Sequence, residues 1–157
     1  MSQLFDYFVC SRSTIENWAD AMEQQDEDEQ ARIESEMSGF VTLEHIGQDE
    51  FNILAQCVEE DGGDPTKAVL RVDLVKAVDE EEGPWVTAFH PAAVKAVAGM
   101  SVSATLIQCW RRAVAAFRGE SEELYRKLLT SKTADSLKEL CSLAVEKRME
   151  VFTCFYG

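Results

Sequence analysis

The two ends of the chain do most to limit its fold. Near the start, LFDYFVC (Leu4 to Cys10) puts aromatic and β-branched residues on both alternating sets, interrupted by Asp6. Near the finish, MEVFTCFY (Met149 to Tyr156) is again aromatic-rich. A strand with one face in water carries polar residues on one of its two sets, because successive side chains point to opposite faces. Strands this apolar are unsuited to an edge. Both segments are therefore expected in the middle of one sheet, side by side in the simplest arrangement, with helices laid against it.

Between them the chain reads as a mixture of helices and short strands. SRSTIENW offers Ser13 and Glu16 in the spacing of a capping box, so a helix is expected from near Thr14, with Ile15, Trp18 and Met22 on one side. The apolar stripe then disappears over EQQDEDEQ and returns at Ala31, Ile33, Met37 and Phe40, which predicts two helical pieces with a solvated middle and a stop at Gly39. VTLEHI is a short strand or turn. A helix from about Asp49 places Phe51, Leu54, Ala55 and Val58 together, and DGGDPT from Asp61 is a loop.

AVLRVDLVKAV and PWVTAF, separated by DEEEG, predict an antiparallel hairpin with a charged tip at Asp79 to Glu82. From Pro91 onward the pattern is helical. Pro91 suits a first helical position, with Gly99 as the stop. Ser101 or Ser103 caps the next helix, whose stripe is Leu106, Trp110, Ala113, Val114 and Phe117, closed by Gly119. Ser121 and Thr133 cap two more, turning Leu124 and Leu128, then Leu137, Leu140, Cys141 and Ala144, inward. The expectation is a single α+β domain over residues 1–157, with a small mixed or antiparallel sheet that contains both terminal strands. At 157 residues such a chain can hide roughly two thirds of its extended surface.

Charge is unevenly distributed. Residues 1 to 64 hold 17 Asp and Glu against two Arg, a net of −15, whereas residues 65 to 157 hold 12 acids against 13 bases. A chain of net charge −14 repels phosphate backbones and anionic lipid, which argues against nucleic acid and membrane surfaces as partners and leaves a basic protein partner open. The basic stretch CWRRAVAAFR does not alter this, since Trp110 and Phe117 fall on the predicted core stripe and Arg111, Arg112 and Arg118 elsewhere. The longest apolar runs are a few residues, far below the roughly eighteen that a membrane helix requires. MSQLFDYFVCSRS has no secretory-signal pattern, so a cytoplasmic location is expected.

Chemistry-bearing patterns are sparse. The five cysteines show no C-x-x-C spacing, and Cys57 and Cys141 sit among apolar neighbours as small core residues do. His45 and His90 lack partners at metal-ligand spacing. The DEDE run lacks the frame of a calcium loop, and neither the nucleotide-binding glycine motifs nor G-x-S-x-G occur. No cofactor is expected. Two functional expectations follow. The first is a non-enzymatic interaction module that meets a basic partner through Asp26, Glu27, Asp28 and Glu29. The second is a small-molecule enzyme or ligand-binding domain with a cleft near His90, walled by Trp85. Oligomeric state is not legible.

The layout also bears a likeness to a known group. A short aromatic strand FDYFV, a hairpin running into WVTAFHPAAVKAVAGM, a Trp-bearing helix LIQCWRRA and the helix-to-strand finish LAVEKRMEVFTCFYG resemble the YfbM-like proteins, small proteins of bacteria. The resemblance implies an α+β fold and supplies no catalytic residues.

Overall fold

The computed structural model describes residues 3–59, 72–77 and 80–156. In chain order its elements are β1 (Leu4–Cys10), α1 (Arg12–Glu23), α2 (Glu27–Glu36), β2 (Gly39–Glu44), α3 (Gln48–Glu59), β3 (Val72–Ala77), β4 (Trp85–Phe89), α4 (Pro91–Ala98), α5 (Ala104–Arg118), α6 (Glu122–Tyr125), α7 (Ser131–Lys147) and β5 (Glu150–Phe155). The strands form one antiparallel sheet in the order β2-β1-β5-β4-β3. The fold is α+β.

The terminal strands lie side by side, Phe5 opposite Phe155 and Cys10 opposite Glu150, and β5 is the central strand. Their two apolar sets serve two cores. Tyr7, Val9, Phe89 and Val151 face α3 to α7, where Phe51, Leu54, Trp110, Leu137 and Ala144 are buried. Phe8, Cys10, Val86, Ala88, Phe152 and Cys154 face α1 and α2, meeting Ile15, Trp18 and Ile33. The sheet is thus sandwiched between helical layers, and its middle strands are shut from water on both sides.

Local boundaries depart from the sequence expectations in instructive places. Ser11, not Ser13, caps α1, its hydroxyl accepting from the Thr14 N–H at 3.2 Å. β1 ends at Cys10, so the helix begins as soon as the chain leaves the sheet. The break in the acidic stretch is real, residues 24–26 separating α1 from α2, but α2 ends at Glu36 with Met37 already extended. Gly39 opens β2 instead of ending a helix, and Phe40 is a strand residue, 48% exposed. Thr130, not Thr133, caps α7. Pro91 and Gly99 bound α4, Gly119 ends α5 and Ser121 caps α6 where the sequence places them, and of the two serines offered for α5 the structure uses Ser103.

Two residues assigned to the core lie outside it. Phe117 is 46% exposed and Leu124 52% exposed, while Ile107, Tyr125 and Leu129 are buried. Arg118 is the cause at Phe117: it continues the Ile107, Trp110, Val114 line by one turn and reaches carboxylates on α3, so the helix rotation favours it. The predicted loop from Asp61 and part of the hairpin, residues 68–71 and 78–79, fall outside the described residues.

Candidate functional site

The acidic residues singled out in the sequence lie at the start of α2, and two of them are occupied locally. The Asp26 carboxylate accepts from the Glu29 N–H at 3.1 Å as the helix cap. Glu27, Asp28 and Glu29 fill the first turn, where the unpaired N–H groups favour negative charge. Glu29 takes a two-pronged contact from Arg32 at 2.9 and 2.5 Å, and Arg32 also reaches Glu36 at 2.9 Å. That hydrogen bonding holds the Glu29 carboxyl below its usual range. Glu27 and Asp28 point into solvent.

The neighbouring α1 extends this surface. Glu16, Asp20 and Glu23 are exposed, and Lys76 of β3 bridges Asp20 and Glu23, the latter at 2.7 Å. Trp18 is buried and donates its indole N–H to Glu34 at 3.0 Å, which ties α1 to α2. Across residues 12–36 there are nine acidic side chains against two arginines. One of those, Arg12, pairs with Glu150 of β5 at 2.7 Å. At the margin of the layer, Phe40 packs on Phe8 with ring centres 5.2 Å apart, and Phe8 packs on Trp18 at 4.7 Å. Leu4 lies on the same face of the sheet and is 51% exposed.

A cleft of about 580 Å³ opens on the opposite face, between one end of the sheet and the start of α3. Its floor is a row of rings across three adjacent strands: Phe5 stacks on Phe155 at 5.1 Å, and Phe155 on Trp85 at 5.5 Å. These separations are close to the spacing of neighbouring strands, so the rings lie face against face along the sheet and turn their edges outward. Gly47 lets the turn pass close to them, since a Cβ there would fall 2.5 Å from Phe5 Cε1 and the ring would have to shift. The polar wall is Arg118, which donates to Glu50 at 2.8 Å and Asp49 at 3.1 Å. Burial works against the Arg118 charge, but the hydrogen bond to Glu50 and the two carboxylates raise its pKa. Glu50 is itself buried and also accepts from the Gly47 N–H at 3.2 Å.

Trp85 and His90, named together in the sequence reading, are not brought together. Trp85 begins β4 and lines the cleft, whereas His90 follows the other end of that strand and lies outside the cleft lining. The exposed imidazole caps α4, Nδ1 accepting from the Ala92 N–H at 3.1 Å. His45 occupies the turn after β2 with a left-handed backbone, its Nε2 3.6 Å from the Glu44 carboxylate. Among the described residues the cleft lining contains no thiol or imidazole, and its carboxylates Asp49 and Glu50 are engaged by Arg118. Such a lining suits holding a molecule better than moving protons. Among the described residues no cluster of three or more His, Cys, Asp or Glu is placed to grip a metal ion.

Phe5, Glu50 and Phe155 of this cleft were not singled out by sequence reasoning, and Arg118 was marked only as a base lying off the core stripe. Each reads in sequence as an ordinary strand or helix residue, and strand order alone puts the three rings in one row. No protein-family model, curated protein or solved structure matches the chain. Among the described residues no helix is long and apolar enough to cross a membrane.

Proposed function

We propose that the protein works by binding and not by catalysis, and that its acidic α1–α2 layer docks a basic protein partner. The observation that supports this reading is the excess of nine acids over two arginines in that layer, with Glu16, Asp20, Glu23, Glu27 and Asp28 exposed. Lys76 is the one base from the trailing portion that reaches it among the described residues. Complementary charge speeds encounter, and a partly exposed ring beside it, Phe40, supplies an apolar anchor of the kind that holds a complex once formed.

The test is affinity capture from native extract at low and physiological salt, followed by titration of the captured protein. Binding is expected to weaken as salt rises, and to weaken roughly 5-fold further in the double variant Glu27→Gln, Asp28→Asn. These two positions are preferred because Asp26 and Glu29 also hold α2 together. A captured partner whose affinity is the same at both salt concentrations would oppose the proposal.

The cleft favours a second reading, a small-molecule site with Trp85 as its reporter. Trp18 and Trp110 are buried at 1% and 0% exposure, so a ligand that changes indole emission on entering the cleft does so through Trp85. The change is expected to vanish in Trp85→Phe. Ligand-induced quenching that persisted in that variant would place the ligand elsewhere.

A further inference from the structure

Helices α3 and α5 run antiparallel and are clamped together. At one end Arg118 of α5 holds Asp49 and Glu50 of α3. Between the ends, the Trp110 indole N–H donates to the Glu50 carbonyl at 2.8 Å. At the other end the contact is sulfur on sulfur: Cys57 Sγ and Cys109 Sγ are 2.9 Å apart, although 52 positions separate them in the chain. A disulfide bond is ~2.05 Å long, so an approach of roughly 0.9 Å would join them.

The two thiols differ in access. Both line a surface groove of about 350 Å³ with Met100, Ser101, Ser103 and Leu106, and Cys109 is the half-buried one of the two. Cys57 reaches the groove wall at only 5% exposure. The remaining cysteines sit inside the two cores: Cys141 against the larger helical layer, Cys10 and Cys154 under α1 and α2. Burial pushes the Cys10 and Cys154 thiols up to about 12 and raises Cys141 as well, so these three are held as unreactive thiols.

We infer that Cys57 and Cys109 form a dithiol site that low-molecular-weight disulfides oxidise to a Cys57–Cys109 bridge. The Cys109 thiolate attacks one sulfur of the small disulfide, the S–S bond breaks, and one small thiolate leaves and takes up a proton. Cys57 then loses its proton and attacks Cys109 Sγ, which expels the second small thiol. Two protein thiols are oxidised and one small disulfide is reduced to two thiols. The product bolts α3 to α5 at the end away from Arg118. This site is independent of the acidic layer.

The experiment treats the folded, fully reduced protein with oxidised glutathione, then unfolds it, alkylates the residual thiols and maps the peptides. The wild type is expected to lose two of its five thiols and to yield one crosslinked peptide pair joining Cys57 to Cys109. A dithiol reductant restores all five. Cys57→Ser is expected to stop at a mixed disulfide with glutathione on Cys109, and Cys109→Ser to leave Cys57 reduced. Five thiols surviving excess oxidised glutathione in the wild type, or a bridge between any other pair, would overturn the inference. The wild-type peptide map decides the matter even if a serine variant does not fold.

Discussion

Tyr7 shows how one side chain joins the sheet to the helical layer. Its ring is fully buried and stacks on Phe89 at 5.9 Å, while its phenol donates to the Ile46 carbonyl at 2.7 Å. That bond anchors the turn which delivers Gly47 and the start of α3 to the cleft. Burial, reinforced by the Glu50 charge, raises the phenol pKa well above its ordinary value, so it remains a donor. Tyr7→Phe keeps the ring and leaves the Ile46 carbonyl without this donor. The expected loss is ~1–2 kcal/mol, seen as a lower urea midpoint with an unchanged slope. An unaltered midpoint would mean that the carbonyl finds another partner at no cost. In the sequence Tyr7 is legible as a buried strand residue, but its hydrogen bond to a position 39 residues away is not.

At the scale of elements, the caps separate what local chemistry specifies from what docking selects. SRSTIE offers two serines able to cap a helix, and the capping-box spacing favours Ser13. The structure uses Ser11, because β1 gives out at Cys10 and Ile15 and Trp18 must face the sheet within the first turns of α1. Ser11→Ala is therefore expected to cost ~1 kcal/mol in chemical denaturation, and Ser13→Ala a few tenths. Equal costs at the two positions would contradict the observed start of α1. Thr130 and Thr133 repeat the choice at α7, whose cap again lies earlier than the sequence suggests, there by three residues. In α5, apolar periodicity marks Phe117 as core, yet ion pairing turns Arg118 toward α3 in its stead. Hydrophobic spacing cannot register an attraction between charges 68 positions apart.

The molecule as a whole responds to alkali through its buried acids. Burial raises the Cys10 and Cys154 thiols to about 12, and burial together with a hydrogen bond to Glu120 raises the Tyr125 phenol to about 12. In an unfolded chain the thiols ionise near pH 8.5 and the phenol near pH 10. Between those values and about 12 the native state retains protons that the unfolded state releases, so stability falls as pH rises through this window and is full below it. Urea midpoints are expected to be steady near neutrality and to decline from about pH 9 upward. A midpoint flat to about pH 11 would show that these groups already ionise in the native state. Charge acts at this scale too, since the helical layers divide the acids unevenly and gather eight of them on α1 and α2, with Asp26 as a ninth at the α2 cap.

By itself the sequence determined that both terminal segments are interior strands of one α+β fold, that the acidic stretch divides into two helices, where α4 is bounded, where α5 ends and where α6 is capped. These follow from properties that a residue shares with near neighbours: alternation, helical spacing and capping chemistry. Tertiary structure alone decided that Phe5, Phe155 and Trp85 form one row, that Arg118 meets Glu50, and that Cys57 of α3 touches Cys109 of α5. The cysteine pair joins the last turn of α3 to the first half of α5, and each of those contacts depends on strand order or on the rotation of one helix against another. Both are set by packing over the entire molecule, and no window of sequence contains them.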